Sequence, residues 1–482
     1  MAAKDTVIVI LAAGKGTRMH SVLAKVLHRA GGQPLIEHVV RACLPLKPAQ
    51  LLAVVGHQAQ EVGEVVETLG AETVLQQPQR GTGHALQVAR RKMRKSAKIA
   101  IVVPGDAPLL RPDTLAALLD THRRGEAAAT ILSAELADPT DYGRIVRDSE
   151  GRVQAIVEEK AATPEQRAIR EVNSSIYCFT LAKLWPCLNA LRPNNAHREL
   201  YLTDAIALLR ARNERVLAQI APDASEILGC NTRAGLADID RIFRARKAAA
   251  IMEAGTTIYL PESVVIDADV SSGPDTVIEP CVQLLGQTRI GSRCTIRTGS
   301  VLYDAQVGDD VIVEAHSTIH SGKLAARASV GPFARLRPGA DIRAGAHIGN
   351  FVEVKNAVVH EGAKAGHLTY LGDATIGREA NIGAGTITCN YDGVSKHHTS
   401  IGDRVFIGSD SALVAPVRIG ADAYVAAGST ITENVPADAL AIARGRQSNK
   451  RGWAAARRRE LKRNAKPKAR PGKRKSSKRR RK

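Results

Sequence analysis

A glycine-rich turn near the N-terminus contains the residues with the clearest chemical meaning in this sequence. The string Leu11-Ala-Ala-Gly-Lys-Gly-Thr-Arg-Met19 follows the strand-forming run Val7–Ile10, and Lys25 lies six residues further on. Glycine lets backbone N–H groups approach an anion closely, and a strand that runs into such a turn often cradles phosphate. The cations Lys15, Arg18 and Lys25 suit a ligand with several phosphate charges. A surface hairpin is the alternative for a Gly-Lys-Gly turn taken alone.

Two better-known phosphate loops do not match this turn. The dinucleotide fingerprint G-x-G-x-x-G fails because Gly14-Lys-Gly16 is followed by Thr17, Arg18 and Met19. The Walker A pattern G-x-x-x-x-G-K-[ST] does not fit either. The whole string L-A-A-G-x-G-x-R-M, with its later lysine, resembles the signature of sugar-phosphate nucleotidyltransferases.

The surrounding pattern predicts an α/β domain that holds this turn at a sheet edge. Strand-like and helix-like runs alternate over residues 1–230, which favours a Rossmann-like, mostly parallel sheet. The β-rich runs are Val7–Leu11, Leu51–Val55, Ala100–Val103 and Thr130–Leu132, and the amphipathic runs are Leu35–Leu44 and Gly83–Met93. Ligands bind such sheets at the carboxyl ends of strands, where both the turn and Asp106 fall. An aspartate there is either a turn residue or an oxygen ligand for Mg2+.

The chain from about residue 255 onward follows a different period. Aliphatic residues recur every six positions, and the longest series is Ile401, Ile407, Leu413, Ile419, Val425 and Ile431. This period predicts hexapeptide repeats that wind a left-handed parallel β-helix, with the aliphatic side chains inside. An interruption over 389–400 predicts a loop that projects from one coil. Helical spacing over 234–254 predicts a helix that connects the two domains.

Positive charge is concentrated at the C-terminus. Residues 451–482 contain 17 Lys/Arg and one acidic residue, whereas the rest of the chain has 51 basic and 47 acidic residues. We expect a solvated, disordered tail, with non-specific binding of polyanions such as nucleic acid or anionic membrane as the sharper alternative. The seven cysteines are scattered without a C-x-x-C pair, which predicts free thiols in a reducing cytoplasm. We expect neither a signal peptide nor a membrane span.

Four strings in the repeat region add a specific resemblance. They are Gly331-Pro-Phe-Ala-Arg-Leu-Arg-Pro-Gly339, Gly349-Asn-Phe-Val-Glu-Val-Lys355, Lys364-Ala-Gly-His-Leu-Thr-Tyr-Leu-Gly-Asp373 and Asn381-Ile-Gly-Ala-Gly-Thr-Ile-Thr-Cys-Asn-Tyr-Asp-Gly393. Together with the N-terminal signature, they resemble the bacterial bifunctional N-acetylglucosamine-1-phosphate uridyltransferase/glucosamine-1-phosphate acetyltransferase family over about residues 5–450.

The resemblance implies a bifunctional enzyme that makes UDP-N-acetylglucosamine for cell-envelope polysaccharides. The β-helix would acetylate glucosamine-1-phosphate with acetyl-CoA, and the N-terminal domain would then transfer uridyl from UTP and release pyrophosphate. It also implies a homotrimer with acetyl-transfer sites between subunits. Two alternatives stay open: a monofunctional sugar-1-phosphate nucleotidyltransferase with a structural or regulatory β-helix, and a nucleic-acid-binding scaffold that uses the tail.

In the N-terminal domain the resemblance implies one nucleotide site with a metal. Arg18 and Lys25 would be catalytic, and Asp106 and Asn231 would hold Mg2+. The other nucleotide- and sugar-binding residues implied are Leu11, Ala12, Ala13, Gly14, Gln76, Gly81, Thr82, Pro104, Gly105, Gly143, Glu158 and Asn173. Three positions depart from the family pattern: Pro104 lacks a backbone N–H, and Asp141 and Ser175 replace usual glycines.

In the β-helix the resemblance implies His367 as the base for acetyl transfer. A histidine suits this task because imidazole titrates near neutral pH, although a histidine in a solenoid taken alone reads as a surface residue. Glu353 and Asn390 would orient or tune it. The sugar-phosphate contacts implied are Arg337, Lys355, Tyr370 and Asn381, and those to acetyl-CoA are Ala384, Asn390, Tyr391, Ser409, Ala427 and Arg444.

We therefore divide the chain into four parts. Residues 1–232 form the uridyltransferase domain, 233–254 a helical linker, 255–450 the hexapeptide acetyltransferase domain, and 451–482 a basic disordered tail.

Overall fold

An open sheet with helices on its faces builds the N-terminal domain of the computed structural model, which describes residues 3–193 and 198–465. Its strands are β1 Thr6–Ala12, β2 Arg29–Ala30, β3 Gln33–Pro34, β4 Gln50–Val55, β5 Glu72–Leu75, β6 Ile99–Pro104, β7 Ala129–Glu135, β8 Arg144–Arg147, β9 Val153–Val157, β10 Glu171–Thr180 and β11 Val216–Ile220. Its helices are α1 Leu35–Cys43, α2 Ala59–Thr68, α3 Thr82–Arg90, α4 Pro112–Arg124, α5 Pro164–Arg167, α6 Leu181–Ala190 and α7 Asp204–Ala211. The predicted strands and amphipathic helices are confirmed.

Parallel pairing in the middle of this sheet sets the level at which its strands end. The spatial order is β11-β7-β10-β6-β1-β4-β5, with β8 and β9 attached to β10. Strand β1 runs parallel to both β4 and β6, while β10 runs antiparallel to β6 and β7. Leu11 pairs with Pro104, and the Gly105 N–H donates to the Leu11 carbonyl at 2.9 Å. The glycine-rich turn and Asp106 therefore leave the sheet side by side.

A long helix joins this domain to the β-helix. Helix α8 spans Arg233–Glu253, and Thr232 caps its N-terminus by accepting from the Gly235 N–H at 3.0 Å. Near its other end, Ile251 is buried in the core of the β-helix. Polar contacts also tie the two domains together, because Asp269 accepts from both Gln33 and Arg41 at 2.7 Å.

Three parallel sheets form the faces of the β-helix. The first contains Thr257–Ile258, Val277–Ile278, Thr295–Ile296, Ile312–Val313, Ser329–Val330, His347–Asn350, Lys364–His367, Asn381–Ile382, Phe406–Ile407, Tyr424–Val425 and Leu440–Ala441. The second contains Val265–Ile266, Gln283–Leu285, Val301–Tyr303, Thr318–His320, Arg335–Leu336, Glu353–Lys355, Tyr370–Gly372, Ile387–Cys389, Ala412–Val414 and Thr430–Ile431. The third contains Ser271–Ser272, Arg289–Ile290, Gln306–Val307, Lys323–Leu324, Asp341–Ile342, Val358–Val359, Ala374–Ile376, Thr399–Ile401 and Val417–Ile419.

The six-residue period corresponds to the interior of this prism. One coil takes 17 or 18 residues, so that each sheet receives one strand per coil. The predicted inward positions are buried in one continuous aliphatic core, which includes Ile278, Leu336 and Ile407 at 0% exposure. The predicted projecting loop is confirmed between Ile387–Cys389 and Thr399–Ile401, where Tyr391 pairs with Lys396 in an isolated bridge.

The described part of the basic tail is helical, which corrects the expectation of disorder for that stretch. Helix α9 spans Trp453–Asn464, and all of its residues are exposed. Alanine and arginine favour helix, and Arg457 Nη1 lies 2.8 Å from Glu460 Oε2 one turn away. Residues 466–482 of the predicted tail lie outside the described residues. Among the residues described, no helix combines the length and apolar character needed to cross a membrane.

A buried histidine makes the N-terminal domain sensitive to acid. The His122 ring is 2% exposed, and its nitrogens lie 3.0 Å from the hydroxyls of Thr130 and Thr180. Burial, aided by the charge of Arg123, lowers the pKa of His122 to about 4. The unfolded chain protonates this histidine below about pH 6.5, so stability is complete above that pH and is lost as pH falls toward 4.

We expect His122→Gln to flatten the acid dependence of stability. Wild type should lose about 3 kcal/mol at this site between pH 6.5 and 4, whereas glutamine has no proton to gain. The measurement is urea unfolding at several pH values, followed by the fluorescence of Trp185 in α6. The variant should be less stable at pH 7 but should vary less with pH, and parallel pH profiles would contradict the assignment.

Candidate active sites

A cavity of about 520 Å3 opens where β1 and β6 end. The structure brings ten of the predicted residues to its lining: Leu11, Ala12, Ala13, Gly14, Lys25, Gln76, Gly81, Thr82, Pro104 and Asp106. Gln76 is 4% exposed, and its side-chain amide donates to the Gly81 carbonyl at 3.0 Å, which fixes the far wall. The cavity is also lined by Gln79, Glu199 and Tyr201, which were not predicted because they lie in segments without a periodic signal.

One cation and two oxygens meet at the floor of this cavity. Lys25 Nζ lies 2.5 Å from Asp106 Oδ2 and 3.2 Å from Asn231 Oδ1. Asn231 reaches this point because the N–H of its neighbour Cys230 donates to the Asp106 carbonyl at 2.9 Å. Burial raises the pKa of the Cys230 thiol to about 11, and the Asp106 charge adds to the shift, so the thiol stays neutral. The floor therefore offers hard oxygen atoms to a cation.

These two oxygens suit Mg2+ as a partly protein-bound ion. Asp106 and Asn231 direct oxygens toward one point, and Mg2+ prefers oxygen ligands while keeping waters and phosphate oxygens in its shell. Within the described residues, no group of three or more His, Cys, Asp or Glu side chains could hold a metal by itself. The remaining ligands would have to come from substrate and water.

Three predicted sugar-binding residues form a neighbouring group. The Asn173 N–H donates to the Gly143 carbonyl at 2.8 Å, and the Asn173 side-chain amide donates to the Tyr177 hydroxyl at 2.9 Å. A Cβ added at Gly143 would lie 3.1 Å from Ile156 Cγ2 and 3.5 Å from Glu158 Oε2, so Gly143 packs close to both side chains. Burial raises the pKa of Glu158, and a hydrogen bond from Thr203 partly offsets the rise.

The positions that depart from the family pattern have identifiable backbone roles. Asp141 and Ser175 have φ values of 70° and 62°, in the left-handed region where glycine is unstrained. Asp141 also lies 3.7 Å from Arg18 Nη1, and both side chains are well exposed, so this pair contributes little. Pro104 lines the cavity without an N–H, and Gly105 supplies the bond to Leu11 instead.

In the β-helix, one edge of the prism carries His367 and most of the predicted acetyl-CoA contacts. Asn350 pairs with His367, and backbone bonds between successive coils place Ala384, Ser409 and Ala427 above them. Strands stacked this way lie about 4.8 Å apart. The side chains beyond His367 in this row are small, so we expect the edge to have room for an elongated ligand. Arg444 Nη1 donates to the Ala427 carbonyl at 3.0 Å at the end of this row.

His367 forms a side-chain hydrogen bond with Asn350, a residue that was not among those predicted. His367 Nδ1 lies 2.5 Å from Asn350 Oδ1, so Nδ1 carries the hydrogen and Nε2 is the basic nitrogen. The predicted orienting residues lie elsewhere: Glu353 accepts from Arg337 Nη1 at 2.8 Å, and Asn390 donates to Asp373. Asn350 stands 17 residues before His367, and that one-coil spacing is the signal that could have found it.

A cluster of cations lies on the adjoining sheet. The contact with Lys396, followed by its charge, lowers the pKa of Lys355, and Arg337 acts in the same direction. Burial raises the pKa of nearby Asp373, but bonds from two asparagines and the charges of Lys396 and Lys355 outweigh this and lower it. Lys396 belongs to the projecting loop and was missed, because its sequence distance from Lys355 gives no hint of contact. The concentrated positive charge of this cluster favours the binding of an anion.

The remaining predicted contacts do not converge within one chain. Tyr370 lies on the second sheet, with its hydroxyl over Gly372, where a side chain would clash at 2.3 Å. Asn381 lies on the first sheet between Lys364 and Phe406. Tyr391 lies on the projecting loop, is 61% exposed and donates to the Gly393 carbonyl at 2.6 Å. These three residues of the same chain therefore do not enclose the edge beside His367.

Comparisons with known proteins agree with this two-part architecture. Residues 8–200 match the MobA-like NTP transferase domain, and residues 398–433 match the bacterial transferase hexapeptide repeat. Fold and sites thus define a nucleotidyltransferase joined to a hexapeptide acetyltransferase. The bifunctional protein GlmU of Koribacter versatilis is 50% identical over 94% of this chain and 98% of its own length. The GlmU protein of Solibacter usitatus is 49% identical over 94% of this chain and 97% of its own length. That of Pelobacter propionicus is 46% identical over 93% of this chain and 98% of its own length. The chain belongs to the family of bifunctional GlmU proteins.

We expect Ser175→Gly to stabilise the N-terminal domain by about 0.5–1 kcal/mol, because a left-handed φ costs serine energy that glycine avoids. Ser174→Gly is the matched control, since Ser174 is buried and its hydroxyl donates to the Leu132 carbonyl at 2.6 Å. That control should destabilise the domain. Urea unfolding followed by Trp185 fluorescence measures both, and a less stable Ser175→Gly protein would contradict the argument.

Proposed function

We propose that this chain acetylates glucosamine-1-phosphate in its β-helix and uridylates the resulting N-acetylglucosamine-1-phosphate in its N-terminal domain. The observations that support the proposal are the His367–Asn350 pair at one edge of the β-helix and the cluster of Arg337, Lys355 and Lys396 cations on the next face of the same prism. An amino sugar phosphate requires a base that takes a proton from its amine and cations that bind its phosphate. The cavity at the end of β1 and β6 offers the complementary set for a nucleotide.

For uridyl transfer, the residues of the cavity position charges. A phosphate oxygen of the sugar phosphate attacks the α-phosphorus of UTP, and the bond to pyrophosphate breaks. Such reactions depend mainly on alignment and charge neutralisation. Backbone N–H groups of the turn after Leu11, with Arg18 and Lys25, would bind the phosphates, while Gly143, Glu158 and Asn173 would hold the sugar. Mg2+ held by Asp106 and Asn231 would supply further neutralisation of phosphate charge.

For acetyl transfer, His367 removes a proton. The amine nitrogen attacks the thioester carbonyl of acetyl-CoA, the C–S bond breaks, and the CoA thiolate takes from His367 the proton that the amine lost, so CoA leaves as its thiol. His367 Nε2 accepts the proton that the amine must lose, while Asn350 keeps the ring in the required tautomer. Arg337 offers a planar fork and Lys355 and Lys396 offer point charges to the phosphate. The edge along Ala384, Ser409 and Ala427 would take acetyl-CoA.

A homotrimer built through the β-helix would enclose this edge. Phe333, Phe351 and Leu368 are 50%, 55% and 62% exposed, and they form an apolar stripe at the corner next to His367. The two phenylalanine rings stack at 5.4 Å. Exposed stripes of this kind usually meet a partner. A second copy there would bring further residues, such as Asn381 or Tyr391 of its own chain, toward this edge.

We propose two further properties on the basis of charge and cysteine chemistry. Helix α9 carries five cations and one carboxylate on an exposed surface, so the tail would bind polyanions without sequence preference. All seven cysteines are free, which supports the reducing cytoplasm as the location.

Paired substitutions should separate the two activities. We expect His367→Ala to lower kcat for acetyl transfer by roughly a hundred- to ten-thousand-fold, because a positioned base is lost. Uridyl transfer from supplied N-acetylglucosamine-1-phosphate should be unchanged. Asp106→Ala should show the reverse pattern, with uridyl transfer abolished. Thiol release from acetyl-CoA and pyrophosphate release from UTP measure the two reactions, and loss of both activities in either folded variant would contradict two independent sites.

Removal of residues 451–482 should reduce polyanion binding while leaving both activities within about twofold. Binding of the full chain to a labelled oligonucleotide should weaken steeply with salt, because each neutralised phosphate releases counterions. Replacing Arg457, Arg458 and Arg459 with glutamine is the smaller step and should lower the salt dependence part of the way. Undiminished oligonucleotide binding by the truncated chain would exclude the tail as the polyanion site.

A further inference from the structure

The ammonium of Lys25 lies at the point where the proposed metal would bind. Its Nζ contacts Asp106 Oδ2 at 2.5 Å and Asn231 Oδ1 at 3.2 Å, which are the two protein oxygens assigned to Mg2+. The Lys25 and Asp106 side chains are only 18% and 13% exposed, so solvent and salt screen this contact weakly. An ammonium and a divalent cation at these oxygens repel each other strongly at such distances, so each weakens the binding of the other.

Hydrogen bonds hold the backbone around Lys25, so we expect its side chain to be the part that moves. Lys25 begins a single-turn helix, Lys25–Leu27, and the N–H of the preceding Ala24 donates to the Gln58 side chain. The stem of Lys25 crosses directly over Gly16 of the glycine-rich turn, where an added Cβ would lie 2.6 Å from Lys25 Cβ. Rotation about the last bonds of this stem therefore moves Nζ between Asp106 and the phosphate side of the cavity.

We propose that Lys25 holds the metal site closed until a nucleotide binds. In the free enzyme the ammonium neutralises Asp106, a largely buried carboxylate that forms no other ion pair among the described residues. The triphosphate attracts Lys25 toward the turn, and the two oxygens become available to the metal. Metal and nucleotide then favour each other's binding, and the coupling is reciprocal. The inference rests on the proposed assignment of Asp106 and Asn231 as metal ligands.

Mn2+ titration of the full-length protein without nucleotide tests this directly, with free Mn2+ measured by electron paramagnetic resonance. Lys25→Met keeps an unbranched stem and removes the charge, and it should tighten Mn2+ binding about tenfold or more. Lys15→Met is the matched control, because Lys15 lines the same cavity but does not contact Asp106 or Asn231 through any described hydrogen bond. It should change Mn2+ affinity by less than about threefold.

The reverse displacement provides an independent measurement. In EDTA, Asp106→Asn should release Lys25 and tighten metal-free pyrophosphate binding several-fold relative to wild type in calorimetry. The double variant Lys25→Met/Asp106→Asn should lose that gain. Trp185 fluorescence and thiol release by the β-helix show that each variant is folded.

Two results would overturn the inference in different ways. If Mn2+ binding requires Asp106 but Lys25→Met does not tighten it, the metal assignment stands and the role of Lys25 as a gate is wrong. If Asp106→Asn in the Lys25→Met protein leaves Mn2+ affinity unchanged, the metal assignment itself is wrong, and the inference falls with it.

Discussion

Parallel strand pairing is the constraint on which both candidate active sites depend. In the N-terminal domain it places the ends of β1 and β6 at one level, so that the glycine-rich turn and Asp106 share a cavity. In the β-helix it stacks residues one coil apart, so that Asn350, His367 and Ala384 form a row. Positions about 17 or 90 residues apart become neighbours by the same hydrogen-bonding rule. The aliphatic cores hold these ladders rigid, and the functional side chains project from their edges.

The two sites handle positive charge differently. At the floor of the N-terminal cavity, Lys25 is compensated by Asp106 and Asn231, so the free enzyme is locally balanced. On the β-helix, Lys355 and Lys396 crowd each other, and the carboxylates of Asp373 and Glu353 lie close to the cluster. Like charges held together raise the free energy of the empty site, and a bound phosphate would relieve that repulsion. We propose that the ion pair of Lys25 controls the access of a metal to the N-terminal cavity. The repulsion between Lys355 and Lys396 would instead strengthen the binding of an anion to the β-helix.

Asp141 and Ser175 have left-handed backbone conformations although neither residue is glycine. Both positions keep the left-handed φ that glycine adopts without strain, Asp141 in the turn before β8 and Ser175 within β10. At Ser175 the chain passes through an irregular register of β10, between Asn173 and Ile176. Strand pairing thus sets the backbone geometry at Ser175, and a residue other than glycine at this position raises the free energy of that conformation.

The sequence by itself determined the architecture and ten of the residues that line the N-terminal cavity. Hexapeptide spacing defines inward and outward positions, and a strand followed by Gly-Lys-Gly marks a sheet edge, because both signals arise from local backbone geometry. Only the tertiary structure decided which residues touch. Lys25 meets Asp106, Asn350 meets His367, and Lys396 meets Lys355 because separate coils and loops converge. The overall charge of the tail did not predict helix α9, because helix formation there depends on a short run of alanine and arginine.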